Sequence, residues 1–106
     1  MTEQDFYELS EETLMSLADN IESKDVNSLL DVEYSDGILT ILVERTKQTY
    51  VINKHSATQK IWYSSPISGA DYFSYDNKSY KWINTKNIDL QNKLFDELSQ
   101  FISIVK

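Results

Sequence analysis

Between residues 29 and 83 the apolar residues of this chain recur at alternate positions, and on both flanks they recur at helical spacing. That change of period, and the change back, limits the fold more than any other feature. A strand with period two offers one apolar face, and an amphipathic helix offers one apolar stripe. Two such helices can both be buried by sharing the apolar face of one sheet. The predicted architecture is therefore α+β: a two-layer sandwich with N- and C-terminal helices on one face of a five- to six-stranded antiparallel sheet. The other face is left open to solvent. A chain of 106 residues makes one such domain, spanning 1–106.

The first helix is announced by Thr2 and Asp5, an N-cap and its N3 acid. From there to about Ser23, Phe6, Leu9, Leu14, Leu17, Ala18 and Ile21 gather on one side. Asp5, Glu8, Glu12, Asp19 and Glu22 fall within about 60° of the opposite direction, with Glu11 at the edge of the arc. Like charges at i and i+4, as at Glu8 and Glu12, each cost roughly a few tenths of a kcal/mol. Asp31 and Glu33 continue the acidic surface onto the first strand. Two readings stand open: a solvated face that keeps the chain soluble, and a surface that binds cations. Carboxylates alone favour hard cations, so Fe²⁺, Fe³⁺, Mn²⁺, Co²⁺ and Ca²⁺ would all be accepted. Acids spread along a helix do not enclose an ion, so binding would be weak and multiple.

Leu30, Val32 and Tyr34 point one way on the first strand, and Asp36-Gly37 is a hairpin signal leading into a second, Ile38 to Arg45, with Leu39, Ile41 and Val43 as its core set. Gln48 to Asn53 is a third strand with Tyr50 and Ile52 inward, and Gln59 to Ser65 a fourth with Ile61 and Tyr63 inward. Period two then forces Trp62 outward, beside Asn53 and Lys60. An exposed indole on an open sheet face is a strong interaction anchor, because tryptophan is enriched at binding hot spots. His55 is read in the polar link that follows the third strand, with no metal role. Asp71 to Tyr75 and Ser79 to Ile83 are two further aromatic runs, whose Tyr72, Phe73, Tyr75, Tyr80 and Trp82 are expected to pack between strands. Asn87 or Asp89 caps a second helix with Leu90, Leu94, Phe95, Leu98, Phe101, Ile102 and Val105 in one stripe.

The absence of cysteine removes disulfides, thiolate ligands and a catalytic thiol, and the single histidine, His55, argues against a zinc site or a His-based triad. Residues 1–36 carry eleven acids against Lys24, a balance of −10, whereas the remaining seventy residues sum to +3. That polarity disfavours nucleic acid and favours cations or basic partners at the acidic third. No apolar run of 18 residues suggests a membrane span, and the acidic opening segment is unlike a targeting peptide.

Three segments carry a family resemblance: FYELSEETLMSLADNIE, DVEYSDGILTI, and above all TYVINK followed by QKIWYSSPISG. Together they resemble the frataxins over nearly the whole chain, in the short form found in bacteria. The resemblance implies an iron-binding, non-enzymatic regulator of iron–sulfur cluster assembly that docks on cysteine desulfurase and its scaffold protein, modulates sulfur transfer and has iron delivery as an added role. It implies weakly bound Fe²⁺ or Fe³⁺ at the acidic ridge, to which Asp19, Glu22, Asp25 and Asp31 correspond, alongside Glu8, Glu12 and Glu33. It implies partner contacts at Asn53, Lys54, Lys60 and Trp62. It further implies a monomer or an iron-dependent oligomer, in bacterial cytoplasm or, as a mature form, in the mitochondrial matrix. The alternative is a ferroxidase or iron-storage protein, but such centres use inward carboxylates with histidine on a helix bundle. The chain departs from the family pattern at Lys60, where glutamine is usual in eukaryotes, and at Tyr75 and Tyr80, where tryptophans are usual. Ala70-Asp71-Tyr72 replaces a proline and a basic pair, which implies that a cationic partner contact is missing there.

Overall fold

The computed structural model describes residues 1–102. Helix α1 (Glu3–Lys24) is followed by six strands, β1 (Leu30–Ser35), β2 (Ile38–Val43), β3 (Gln48–His55), β4 (Lys60–Ser65), β5 (Gly69–Asp76) and β6 (Lys81–Ile83), and then by α2 (Leu90–Leu98). The strands form one antiparallel sheet in the order β1-β2-β3-β4-β5-β6, a meander without crossovers. Both helices pack on one face, as the two periodicities require.

Local chemistry fixes each boundary. The Thr2 hydroxyl accepts from the Asp5 N–H at 3.0 Å while the Asp5 carboxylate accepts from the Thr2 N–H at 3.3 Å, a complete capping box. At the other end of α1, Asp25 accepts from the N–H groups of Leu29 and Leu30, both at 2.8 Å, and so turns the chain into β1. Asp36 (φ 52) and Gly37 (φ 78) both take left-handed backbone, the geometry a two-residue hairpin needs to match strand twist. Asp89, the second of the two candidate caps, accepts from Asn92 N–H and starts α2.

The core follows the expected phase. Leu39, Ile41, Tyr50, Ile52, Ile61, Tyr63 and Phe73 from the sheet are fully enclosed with Leu14, Ile21, Leu94 and Leu98 from the helices. Each such aliphatic side chain contributes about 2 kcal/mol by leaving water.

Four expectations need correction. The second helix stops at Leu98, after which bonds from Gln100 and Phe101 to carbonyls three residues back tighten the chain into a turn. Ile102 still reaches the core from that turn, whereas Val105 lies outside the described residues. His55 belongs to β3, paired with Lys60, rather than to the link. Of the aromatics expected between strands, Tyr80 sits in a left-handed turn and is 77% exposed, and Tyr72 faces solvent on the open side.

Candidate functional site

On α1 the carboxylates of Glu8, Glu12, Asp19 and Glu22 all stand in solvent, and Asp31 and Glu33 stand in solvent on the outer face of β1, at the edge of the sheet. Glu8 accepts from the Gln4 amide one turn earlier at 2.8 Å. Among the described residues no three acids or histidines converge into a ready-made metal cage. Asp25 differs from the other six candidates, because each of its oxygens already receives a backbone N–H. The ridge is thus a band of separate carboxylates, chemically suited to loosely held hard cations.

Glu11, at the edge of the arc in sequence, faces inward to the sheet. Lys54 Nζ lies 2.6 Å from its carboxylate and 3.9 Å from the centre of the Tyr7 ring, and the Tyr34 hydroxyl donates to it at 2.5 Å. The hydrogen bond from Lys54, then that from Tyr34, holds the Glu11 carboxyl below its ordinary value. Burial, reinforced by the Glu11 charge, pushes the Tyr34 phenol up. The Lys54 side chain is only 9% exposed. Lys54 therefore does not share the open face with the other three proposed contacts. It has the parity of Tyr50 and Ile52, and it joins β3 to α1.

The open face carries the remaining three. The register places Asn53 opposite Trp62 and Trp62 opposite Tyr72, with Ile38 opposite Asn53 on the far side. This row crosses four strands: Ile38 and Tyr72 are 42% and 47% exposed at its ends, and Trp62 is half-buried between. Asn53 donates to the Lys54 carbonyl at 3.0 Å, while its own side-chain oxygen is enclosed with no hydrogen-bond partner among the described residues. Lys60 is exposed at the next outward position along β4, paired with His55 and Ser74. Tyr72 was missed by sequence reasoning as a member of this face. The buried Phe73 beside it supplied the signal, since adjacent strand residues point opposite ways.

Asp71 belongs to the segment that departs from the family pattern. It faces the helix layer, bonded to Lys93 at 3.1 Å and to the Asn84 amide at 2.9 Å. Burial opposes its ionisation, but the bonds from Asn84, the Tyr72 N–H and Lys93 outweigh that and keep the carboxyl low. The residue that occupies the outer face in this segment is Tyr72, so no acid intrudes beside Trp62.

A helix pair on one side of a six-stranded meander, an acidic outer helix and an aromatic open sheet define the frataxin-like class of α+β sandwich, and the sequence profile of the Frataxin-like domain matches residues 1–104. The chain belongs to the frataxin family. The mitochondrial frataxin homologue of Schizosaccharomyces pombe is 33% identical over 90 residues, covering 82% of this chain and 56% of that protein. The mitochondrial frataxin of Arabidopsis thaliana is 31% identical over 100 residues, covering 92% and 53%. The chain thus spans about half the length of these two relatives. Among solved structures, a trimeric frataxin from Saccharomyces cerevisiae in its ferrous complex has a TM-score of 0.75 at 31% identity, covering 91% of this chain and 87% of that one. A frataxin from Psychromonas ingrahamii has a TM-score of 0.83 over the full length of both chains at 16% identity, which speaks to the fold alone. The family is generally iron-binding, linked to iron–sulfur assembly and mainly non-enzymatic. No helix among the described residues is long and apolar enough to cross a membrane.

Proposed function

We propose that this chain regulates iron–sulfur cluster assembly by docking its open sheet face on a cysteine desulfurase–scaffold complex, where it modulates sulfur transfer. The observation that carries the proposal is the row Asn53–Trp62–Tyr72, which holds an indole outward on a face that neither helix covers. Natural sheets expose few large aromatics without a reason, and a tryptophan ringed by polar neighbours has the anatomy of a binding hot spot. Iron binds weakly at Glu8, Glu12, Asp19, Glu22, Asp31 and Glu33, where it relieves the mutual repulsion of the ridge, and from there it can be delivered to the docked complex. Asp25 takes part only through lone pairs left over from its capping role. The site of action is the bacterial cytoplasm or, for an organellar form, the mitochondrial matrix.

Titration of a purified desulfurase–scaffold complex tests this. Trp62→Arg should weaken binding by more than ~1.4 kcal/mol, about tenfold, with the melting temperature nearly unchanged. Unaltered affinity would sink the proposal. The trimeric, ferrous state of the yeast relative supports a second reading, iron-linked self-assembly. Sedimentation with and without Fe²⁺ under anaerobic conditions tests it, and a monomer in both runs would remove it.

A further inference from the structure

Two buried polar residues that neither proposed surface uses, Ser65 and Glu97, meet beneath the hairpin that follows Trp62. Glu97, on α2, is 9% exposed, and both of its carboxylate oxygens accept from serine hydroxyls of the β4–β5 turn: one from Ser65, the other from Ser68 at 2.8 Å. The Ser65 oxygen in turn accepts from the N–H groups of Ile67 at 2.9 Å and Ser68 at 3.0 Å. One acid thus fixes both hydroxyls and, through Ser65, two backbone amides of a single turn. The hydroxyls of Tyr50 and Tyr63 are enclosed nearby with no hydrogen-bond partner among the described residues. Burial, with the Glu97 charge adding to it, pushes both phenols up.

This turn continues the strand that carries Trp62. Ser64 shares the outer face with Trp62, Ser65 turns inward to Glu97, and Ile67 projects at the tip, 44% exposed. An exposed isoleucine on a turn held by a buried acid loses less backbone freedom when a partner arrives than one on an untethered turn. We propose that Glu97 is a positioning residue for docking, holding the turn beyond the Trp62 strand so that Ile67 adds a second apolar contact with the same desulfurase–scaffold complex. The inference rests on the docking role proposed above and adds a helix residue that never touches the partner.

The test uses the full chain titrated with the purified desulfurase–scaffold complex, with amide NMR of the free protein. Ile67→Ser, at an exposed position, should lower affinity about fivefold with little change in melting temperature. Glu97→Ala should shift the Ile67 and Ser68 amide resonances and lower affinity to a similar degree, measured well below its melting temperature. Ser68→Ala, which removes one of the two bonds, serves if Glu97→Ala does not fold, and should give a smaller change of the same kind. If Trp62→Arg weakens binding while Ile67→Ser leaves it unaltered, this inference is overturned and the docking role survives. If neither does, both fall. Turn variants that shift the amide resonances but bind normally also overturn it.

Discussion

Lys54 and Lys60 occupy the two arms of one hairpin and face opposite sides of the sheet. Lys54 lies beneath α1, paired with Glu11 and capped by the Tyr7 ring, whereas Lys60 stands on the outer face with no ion pair among the described residues. The same contrast holds across the two faces. On the helix side, Asp71 is matched by Lys93 and Asn84, and Glu97 by Ser65 and Ser68. On the open side, Trp62, Tyr72 and Lys60 keep their capacity for contact. Charges turned inward are consumed by the fold, because an unpaired charge there would cost several kcal/mol. Groups turned outward contribute little to stability and are available for binding. Strand parity therefore separates what holds this protein together from what it presents.

The largest test of that separation is Lys54→Met. Removing the cation leaves Glu11 partly enclosed without its main partner, which should cost about 3 kcal/mol and lower the melting temperature by roughly 10–20 °C. Affinity for the desulfurase–scaffold complex should stay within about twofold at a temperature where the variant is folded. The comparison breaks if Lys54→Met weakens docking as much as Trp62→Arg does.

That same pair of faces shows what could be read without coordinates. Trp62 was legible as outward because Ile61 and Tyr63 are both apolar and both flank it. Lys54 entered the set of partner contacts through the family resemblance, although its parity with Tyr50 and Ile52 pointed inward. The capping box, the Asp36-Gly37 hairpin and the core sets of β2, β3 and β4 were also legible, since each depends on residues close in sequence. Glu97 carried no such signal. Its partners Ser65 and Ser68 lie far away in the chain, and a lone glutamate in a helix reads as solvated until the turn is seen beneath it. The end of α2 was hidden for another reason: the apolar stripe continues past Leu98, and neither glycine nor proline marks the stop.

A smaller effect is expected from the two glycines. Both take left-handed backbone, Gly37 at φ 78 and Gly69 at φ 84. A Cβ on Gly37 would come within 3.3 Å of the Lys54 side chain, whereas one on Gly69 would meet nothing within 4 Å. Gly69→Ala should therefore cost about 1 kcal/mol from backbone strain alone, and Gly37→Ala about 2 kcal/mol because it also disturbs the Lys54 stem. Equal costs in chemical denaturation would show that Lys54 yields freely, and would weaken its assignment to the fold.

Glu11→Gln should cost less than Lys54→Met, about 1–2 kcal/mol at neutral pH, since the amide oxygen still accepts from Lys54 or Tyr34. Its pH dependence is the sharper measurement. The Glu11 carboxyl is held below its ordinary value of 4.5 by Lys54 and then Tyr34. A depressed value in the folded state means that the stabilisation is complete above 4.5 and is lost as pH falls through the folded value. The stability gap between wild type and Glu11→Gln should accordingly narrow as pH falls below 4.5, and a gap independent of pH would show that the ion pair contributes nothing.

The acidic ridge should respond least, and in the opposite direction. Its carboxylates are outward like Trp62, yet they repel one another, so taking charge away should stabilise rather than destabilise. The double change Asp19→Asn with Glu22→Gln should raise the melting temperature by about 1 °C at low ionic strength, and the gain should vanish near 1 M salt. Fe²⁺, Mn²⁺ or Ca²⁺ should raise the wild-type melting temperature in the same way, by a few degrees at roughly saturating concentration, and the double variant by less. The expected weakness follows from the geometry, because separate carboxylates give an ion few ligands at once and leave it mostly hydrated. If added Fe²⁺ moves neither the melting curve nor the NMR signals of Asp19 and Glu22, the ridge is only a solvated surface. The outward side would then carry one function, at Trp62, rather than two.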